Sequence, residues 1–202
     1  MITASNRAAA GVYADRGGPV LADGLRDLGF TVDGPLVVPD GEPVAEALRD
    51  AVRQQYDVVL TTGGTGLSPS DRTPEATRAV LEREVPGLAE AIRFRGTAAG
   101  VATAALSRGL AGLAGRTLIV NLPGSPGGCR DGLAVLEGVL VHAVDQIHGG
   151  DHAPAPSSPV SLGPASADPA LSAPVSPGSA SADPALSAPV SPGPASAEVQ
   201  HG

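Results

Sequence analysis

A fourteen-residue stretch, ASADPALSAPVSPG, occurs at 165–178 and again at 180–193, and it limits what this chain can fold. The 52 residues from Asp151 onward contain no lysine, arginine or aromatic residue, yet hold 11 of the 20 prolines. Each repeat offers one leucine and one valine. Fixing a backbone costs roughly 1–2 kcal/mol per residue, more than so little apolar surface offsets. The expectation is a disordered Pro/Ala/Ser-rich tail over 151–202 and one folding unit over 1–150, long enough for a sizeable core. Deleting 151–202 is therefore expected to leave melting temperature and activity unchanged, which thermal unfolding of the truncated chain checks.

The formal net charge is −8, every basic residue is an arginine, and aromatic residues make up 2%. Nothing in this balance resembles a nucleic-acid surface. No apolar run approaches the roughly 20 residues of a membrane span, and no signal peptide is visible. A single cysteine, Cys129, excludes an internal disulfide and fits a reducing cytoplasm. Without lysine there is no Schiff-base or P-loop lysine. The four histidines, His142, His148, His152 and His201, all lie at or beyond the last expected helix, which argues against a histidine triad or a multi-histidine zinc site.

Apolar runs and helical patterns alternate along 1–150. MITAS reads as the end of a strand. Leu21, Leu25 and Leu28 recur at helical spacing, with Pro19 near the start and Gly29 as a stop. FTVDGPLVVP reads as a strand interrupted at Gly34-Pro35. Residues 42–55 form a second helix with Val44, Leu48 and Ala51 on one face, and DVVLTT forms a short buried strand. A helix over 73–84 is expected with Thr73 as N-cap, and another after Pro86. RTLIVNLPGSP is a strand ending in a turn. A final helix over 127–148 carries Leu133, Leu136, Leu140, Ala143 and Ile147. The pattern is that of a three-layer α/β/α sandwich with a mostly parallel sheet, whose ligands bind beyond the carboxyl ends of the strands.

Two loops fall there, TTGGTGLSPSDRTPEA at 61–76 and NLPGSP at 121–126. Gly63, Gly64 and Gly66 allow positive φ and let a phosphate approach bare backbone. The spacing matches neither the P-loop nor the dinucleotide fingerprint. Asp71 follows the glycines, and Asp40 ends the preceding strand. Carboxylates beside a phosphate call for a cation between them, and Mg²⁺ held by one or two carboxylates and substrate phosphates is the usual arrangement. Arg72 and Arg108 are candidates for ligand charge, and Cys129 reads as a small packing residue.

Six segments, ITASNRAAAGVYADRGGP, VVPD, TTGGTGLSPSDRTPEAT, VPGLAEAIR, ALSRGLAG and TLIVNLPGSP, together resemble the MoaB/Mog family of molybdenum cofactor biosynthesis, in that family's order and over residues 1–148. The chain departs from the family at Asn6, where an aspartate is frequent, and at Gly127-Gly128-Cys129. The resemblance implies a molybdopterin-binding-like fold and a molybdopterin adenylyltransferase that consumes Mg-ATP and releases pyrophosphate. It implies catalytic and magnesium-binding roles for Asp40 and Asp71, and phosphate or nucleotide binding by Thr62, Gly63, Gly64, Thr65 and Gly66. Pterin binding is implied for Ser107, Arg108, Pro123, Gly124, Ser125 and Pro126. Homotrimers or dimers of trimers are implied as the assembly. A non-catalytic molybdopterin-binding or scaffold protein of the same fold is the alternative. A competence/damage-inducible type of domain fits less well, because the SPSDRTPEAT and NLPGSP segments are both complete.

Overall fold

The computed structural model describes residues 1–150; the tail expected over 151–202 lies outside the described residues. Six strands form one sheet in the order β2-β1-β3-β6-β5-β4. They are β1 (Ile2–Ala4), β2 (Leu36–Val38), β3 (Val58–Thr62), β4 (Arg83–Glu84), β5 (Ala111–Ala114) and β6 (Thr117–Leu122). β2, β1, β3 and β6 run parallel, whereas β5 and β4 add an antiparallel edge. The helices are α1 (Asn6–Ala9), α2 (Gly17–Asp27), α3 (Glu42–Arg53), α4 (Thr73–Arg78), α5 (Pro86–Ala98), α6 (Pro126–Leu136) and α7 (Leu140–Ile147), with a 3₁₀ turn at Ala102–Leu106.

The three layers follow from the alternation of side chains along the central strands. On β3 and β6, Leu60, Leu118, Val120 and Leu122 point to one face, where Leu21 and Leu25 of α2, Ile92 of α5 and Leu136 of α6 cover them. Val59 and Ile119 point to the other, against Val44 and Leu48 of α3 and Ala76 of α4. Register Val58↔Leu118 through Thr62↔Leu122 brings the carboxyl ends of β3 and β6 level, so the loops that follow them emerge side by side.

Several local expectations need correction. The strand expected over 30–39 forms only at Leu36–Val38. Gly34 takes φ +91° and Pro35 has no N–H, so ladder bonding begins at Leu36, whose N–H donates to the Met1 carbonyl at 2.9 Å. The helix expected over 73–84 stops at Arg78 because sheet pairing takes the following backbone: Glu82 N–H donates to Leu113 O at 2.8 Å and Val85 N–H to Ala111 O at 2.7 Å. Its N-cap is Arg72, one residue before the expected Thr73. The final helix divides into α6 and α7 around Gly138, where Val139 leaves helical geometry at φ −133°. The division still leaves Leu136 and Leu140 fully buried. The hydrophobic pattern does not announce strands β4 and β5. Their AGLA and RE segments lack β-branched and aromatic residues, and only Gly115, at φ +57° in the two-residue turn before β6, marks the hairpin.

Candidate active site

Thr62 ends β3 with its hydroxyl donating to the Pro123 carbonyl at 2.7 Å, and Gly63 N–H donates to Leu122 O at 3.2 Å. The two loops are thus stitched together where they leave the sheet. Gly63 and Gly64 both have positive φ, +94° and +61°. A Cβ on Gly64 would overlap Asp40 Oδ2, so this position admits glycine alone.

Asp40 explains that crowding. Its Oδ1 accepts from Gly41 N–H at 2.7 Å and from the Thr73 hydroxyl at 2.8 Å, and its Oδ2 accepts from Arg72 N–H at 2.9 Å. Its own N–H donates to Asn6 Oδ1 at 3.0 Å. A residue at the end of β2 therefore clamps the far end of the glycine loop and ties α1 to it. Asp71 is less engaged: Oδ2 accepts from Ser68 N–H at 3.1 Å, and Oδ1 accepts nothing among the described residues. Both carboxylates are half-buried and face one cavity.

That cavity, of about 400 Å³, is lined by Thr62, Gly63, Gly64, Asp40, Asp71, Gly124 and Pro126. A second, of about 270 Å³, is lined by Thr65, Gly66, Ser107, Pro123 and Ser125 together with apolar Ile92, Val101 and Leu106. Successive residues of the same two loops line different cavities, so the glycine loop and Pro123–Pro126 form a wall shared by both. The residues that the family resemblance assigns to nucleotide and to pterin do not divide cleanly: Thr65 and Gly66 line the second cavity, whereas Gly124 and Pro126 line the first.

Arg108 and Arg72 line neither cavity. Arg108 Nε donates to Gly66 O at 2.8 Å, Nη2 to Asp71 O at 2.6 Å and Nη1 to the Glu75 carboxylate, while its backbone N–H meets Thr65 O at 2.8 Å. It buttresses the loop from behind. The Arg108 guanidinium, above all through this hydrogen bond, holds the Glu75 carboxyl below the usual carboxylate range. A depressed folded value contributes stability that is present above the unfolded value and lost as pH falls through the folded one. Glu75→Gln is expected to flatten the small loss of melting temperature between about pH 5 and about pH 3. An unchanged acid slope would remove Glu75 from that role.

Several lining residues of the first cavity do not stand out in the sequence. Arg7 stacks 4.9 Å from the Tyr13 ring centroid, and the Tyr13 hydroxyl meets Ser5 Oγ at 3.0 Å. Asp15 Oδ1 accepts from Gly17 and Gly18 N–H at 3.0 Å each, and Oδ2 accepts from the Thr3 hydroxyl at 2.7 Å. For Asp15 a signal does exist: an aspartate two residues before Gly-Gly at a helix start is a capping pattern. With Arg16, the first cavity carries three carboxylates and two guanidiniums on its lining. Cys129 lies beneath it, fully buried, its thiol donating to Pro123 O at 3.3 Å. Burial pushes that thiol up and keeps it in the unreactive form.

No cluster of three or more His, Cys, Asp or Glu converges among the described residues. Asp40 and Asp71 nevertheless fit a magnesium that takes its remaining oxygen ligands from phosphates and water. Among the described residues no helix is long and apolar enough to cross a membrane.

The family described as "Probable molybdopterin binding domain" matches residues 1–142. The chain belongs to that family. This molybdopterin-binding domain is 42% identical over 144 residues to the molybdopterin adenylyltransferase of Haemophilus influenzae, covering 69% of this chain and 71% of that protein. It is 38% identical over 154 residues to the molybdenum cofactor biosynthesis bifunctional protein of Synechococcus elongatus, covering 75% of this chain but 48% of that protein. Against the first of its curated relatives, then, the domain spans about half their length or less. Among solved structures, the molybdopterin biosynthesis Mog protein from Mycobacterium ulcerans is similar at TM-score 0.70 and 59% identity, over 72% of this chain and 95% of that one.

Proposed function

We propose that the protein is a molybdopterin adenylyltransferase that joins the terminal phosphate of molybdopterin to the α-phosphate of ATP and releases pyrophosphate. The observation that carries this reading is the pair of cavities sharing one glycine wall. A nucleotide in the polar cavity and a pterin in the apolar one would each direct a phosphate to the edge of the glycine loop, which borders both. Such transfer depends on positioning and charge neutralisation rather than on a protein nucleophile, which suits a site without lysine or histidine.

On this reading the amides around Gly63, Gly64, Thr65 and Gly66 orient the reacting phosphates, while Arg7 and Arg16 attract the nucleotide's negative charge. Asp71, with an oxygen to spare, and Asp40 behind it are the residues that would hold magnesium, whose charge offsets that of the phosphates. Asp40 also fixes the loop through Gly41, Arg72 and Thr73, so it positions as much as it binds. Ser107, Pro123 and Ser125 border the pterin. Homotrimer or dimer-of-trimers assembly in the cytoplasm completes the proposal, and light scattering measures the assembly.

The test is pyrophosphate release by the purified protein with ATP, Mg²⁺ and molybdopterin, each omitted in turn. Release that needs all three supports the reading. Binding of molybdopterin without release under any condition would replace it with the non-catalytic binding role.

A further inference from the structure

The second cavity holds two opposite charges that do not meet. Arg93 on α5 lines it, with Nη1 donating to Ser107 O at 3.4 Å and to Gly109 O at 3.0 Å. Asp131 on α6 lines it too; its side chain is 24% exposed, and its one ion-pair neighbour among the described residues, Arg95, stays 3.9 Å away. Asp131 accepts no hydrogen bond among the described residues, and it forms no ion pair with Arg93. The Asp131 oxygens keep contact with solvent, so the carboxylate holds its charge at the edge of the apolar lining made by Ile92, Val101 and Leu106. An acceptor on a cavity wall with no protein donor among the described residues is open to a ligand that brings N–H groups, which displaces the water there.

Resting on the adenylyltransferase reading, we infer that Asp131 and Arg93 read the pyrimidinone edge of the pterin. That edge carries an exocyclic amino group beside a ring N–H, followed by a carbonyl. A carboxylate accepts from the two adjacent N–H groups, as acidic side chains accept from base-edge amino groups, and a guanidinium donates to the carbonyl. The Asp131 carboxylate supplies the first contact. Arg93, fixed through Nη1 by two carbonyls and otherwise uncommitted among the described residues, supplies the second. The flat ring then lies between Ile92, Val101 and Leu106, with its phosphate-bearing arm directed at the wall formed by Thr65, Gly66 and Pro123.

The experiment compares two soluble probes by fluorescence titration of the full chain: pterin itself, and lumazine, in which an oxo group replaces the exocyclic amino group. The wild type is expected to bind pterin at least about tenfold more tightly than lumazine, as hydrogen bonds to a charged group imply. Asp131→Asn is expected to erase that preference by weakening pterin far more than lumazine, which keeps only the ring N–H of the two donors. Equal weakening of both probes would show a merely structural role and overturn the inference, as would an unchanged preference. Arg93→Gln is expected to weaken both probes, since both keep the carbonyl; unchanged binding would overturn its part. A wild type that binds neither probe, yet releases pyrophosphate with molybdopterin, overturns this inference and leaves the function standing. Neither binding nor release sinks both.

Discussion

Asp71→Ala is expected to lower the rate of pyrophosphate release by at least about a hundredfold, the scale seen when one preorganised electrostatic group is removed from a transfer site. The fold is expected to survive the change. Asp71 is half-buried at a cavity mouth, its carboxylate accepts one hydrogen bond, from Ser68 N–H, and the Asp71 carbonyl that Arg108 grips is backbone. Removing the side chain takes away the proposed magnesium ligand but leaves the loop's supports in place. Asp40→Ala, by contrast, is expected to damage both rate and stability, because three donors lose their acceptor at once. Steady-state rates with thermal melts on both variants separate the two roles. Full activity in Asp71→Ala would end the assignment of magnesium to this residue.

Gly63→Ala is the largest stability effect expected from a single methyl group. The position has φ +94°, and a Cβ there would overlap the Ala4 carbonyl oxygen, on the neighbouring strand β1. The obstacle is backbone within the sheet, so no side-chain rotation relieves it. Strain in such a region costs about 1–3 kcal/mol and overpacking about 1–3 kcal/mol more. For a folding unit of this size the fall in melting temperature is roughly 5–15 °C. Gly127→Ala is the control: it lies on α6, where an added methyl group would have nothing within 4 Å, so the melt is expected to stay level or rise slightly. A Gly63→Ala protein as stable as its parent would mean that the loop can leave β1 freely.

The central part of the fold was legible because its signals are local. DVVLTT and TLIVNL are continuous apolar runs that only a doubly covered strand explains, and the Leu21–Leu25 and Val44–Leu48 stripes settle the helices over them. The antiparallel edge was not legible. Its strands are made of alanine, glycine, one leucine and charged residues, and they exist because Glu82 and Val85 find carbonyls on β5, which is long-range information. The same division holds at the site. Asp40 and Asp71 stood out because they flank glycines, but the sequence could not say that Arg108 turns inward to Gly66 and Glu75. Nor could it bring Arg93 and Asp131, 38 positions apart, to the lining of one cavity.

Asn121 joins these pieces in one more way. It is 2% exposed; its amide donates to the hydroxyls of Thr61 at 3.0 Å and Thr77 at 2.9 Å and accepts from Leu110 N–H at 3.0 Å. One side chain thus fastens β3, β6, α4 and the segment after Ser107. Thr61 directly precedes Thr62 of the first cavity, and Asn121 lies two residues before Pro123 of the second, so displacement of either border strains that amide. In hydrogen exchange, the N–H groups bordering the two compartments should accordingly lose protection in a single cooperative step, so that a ligand settling on one side slows the opening of the other.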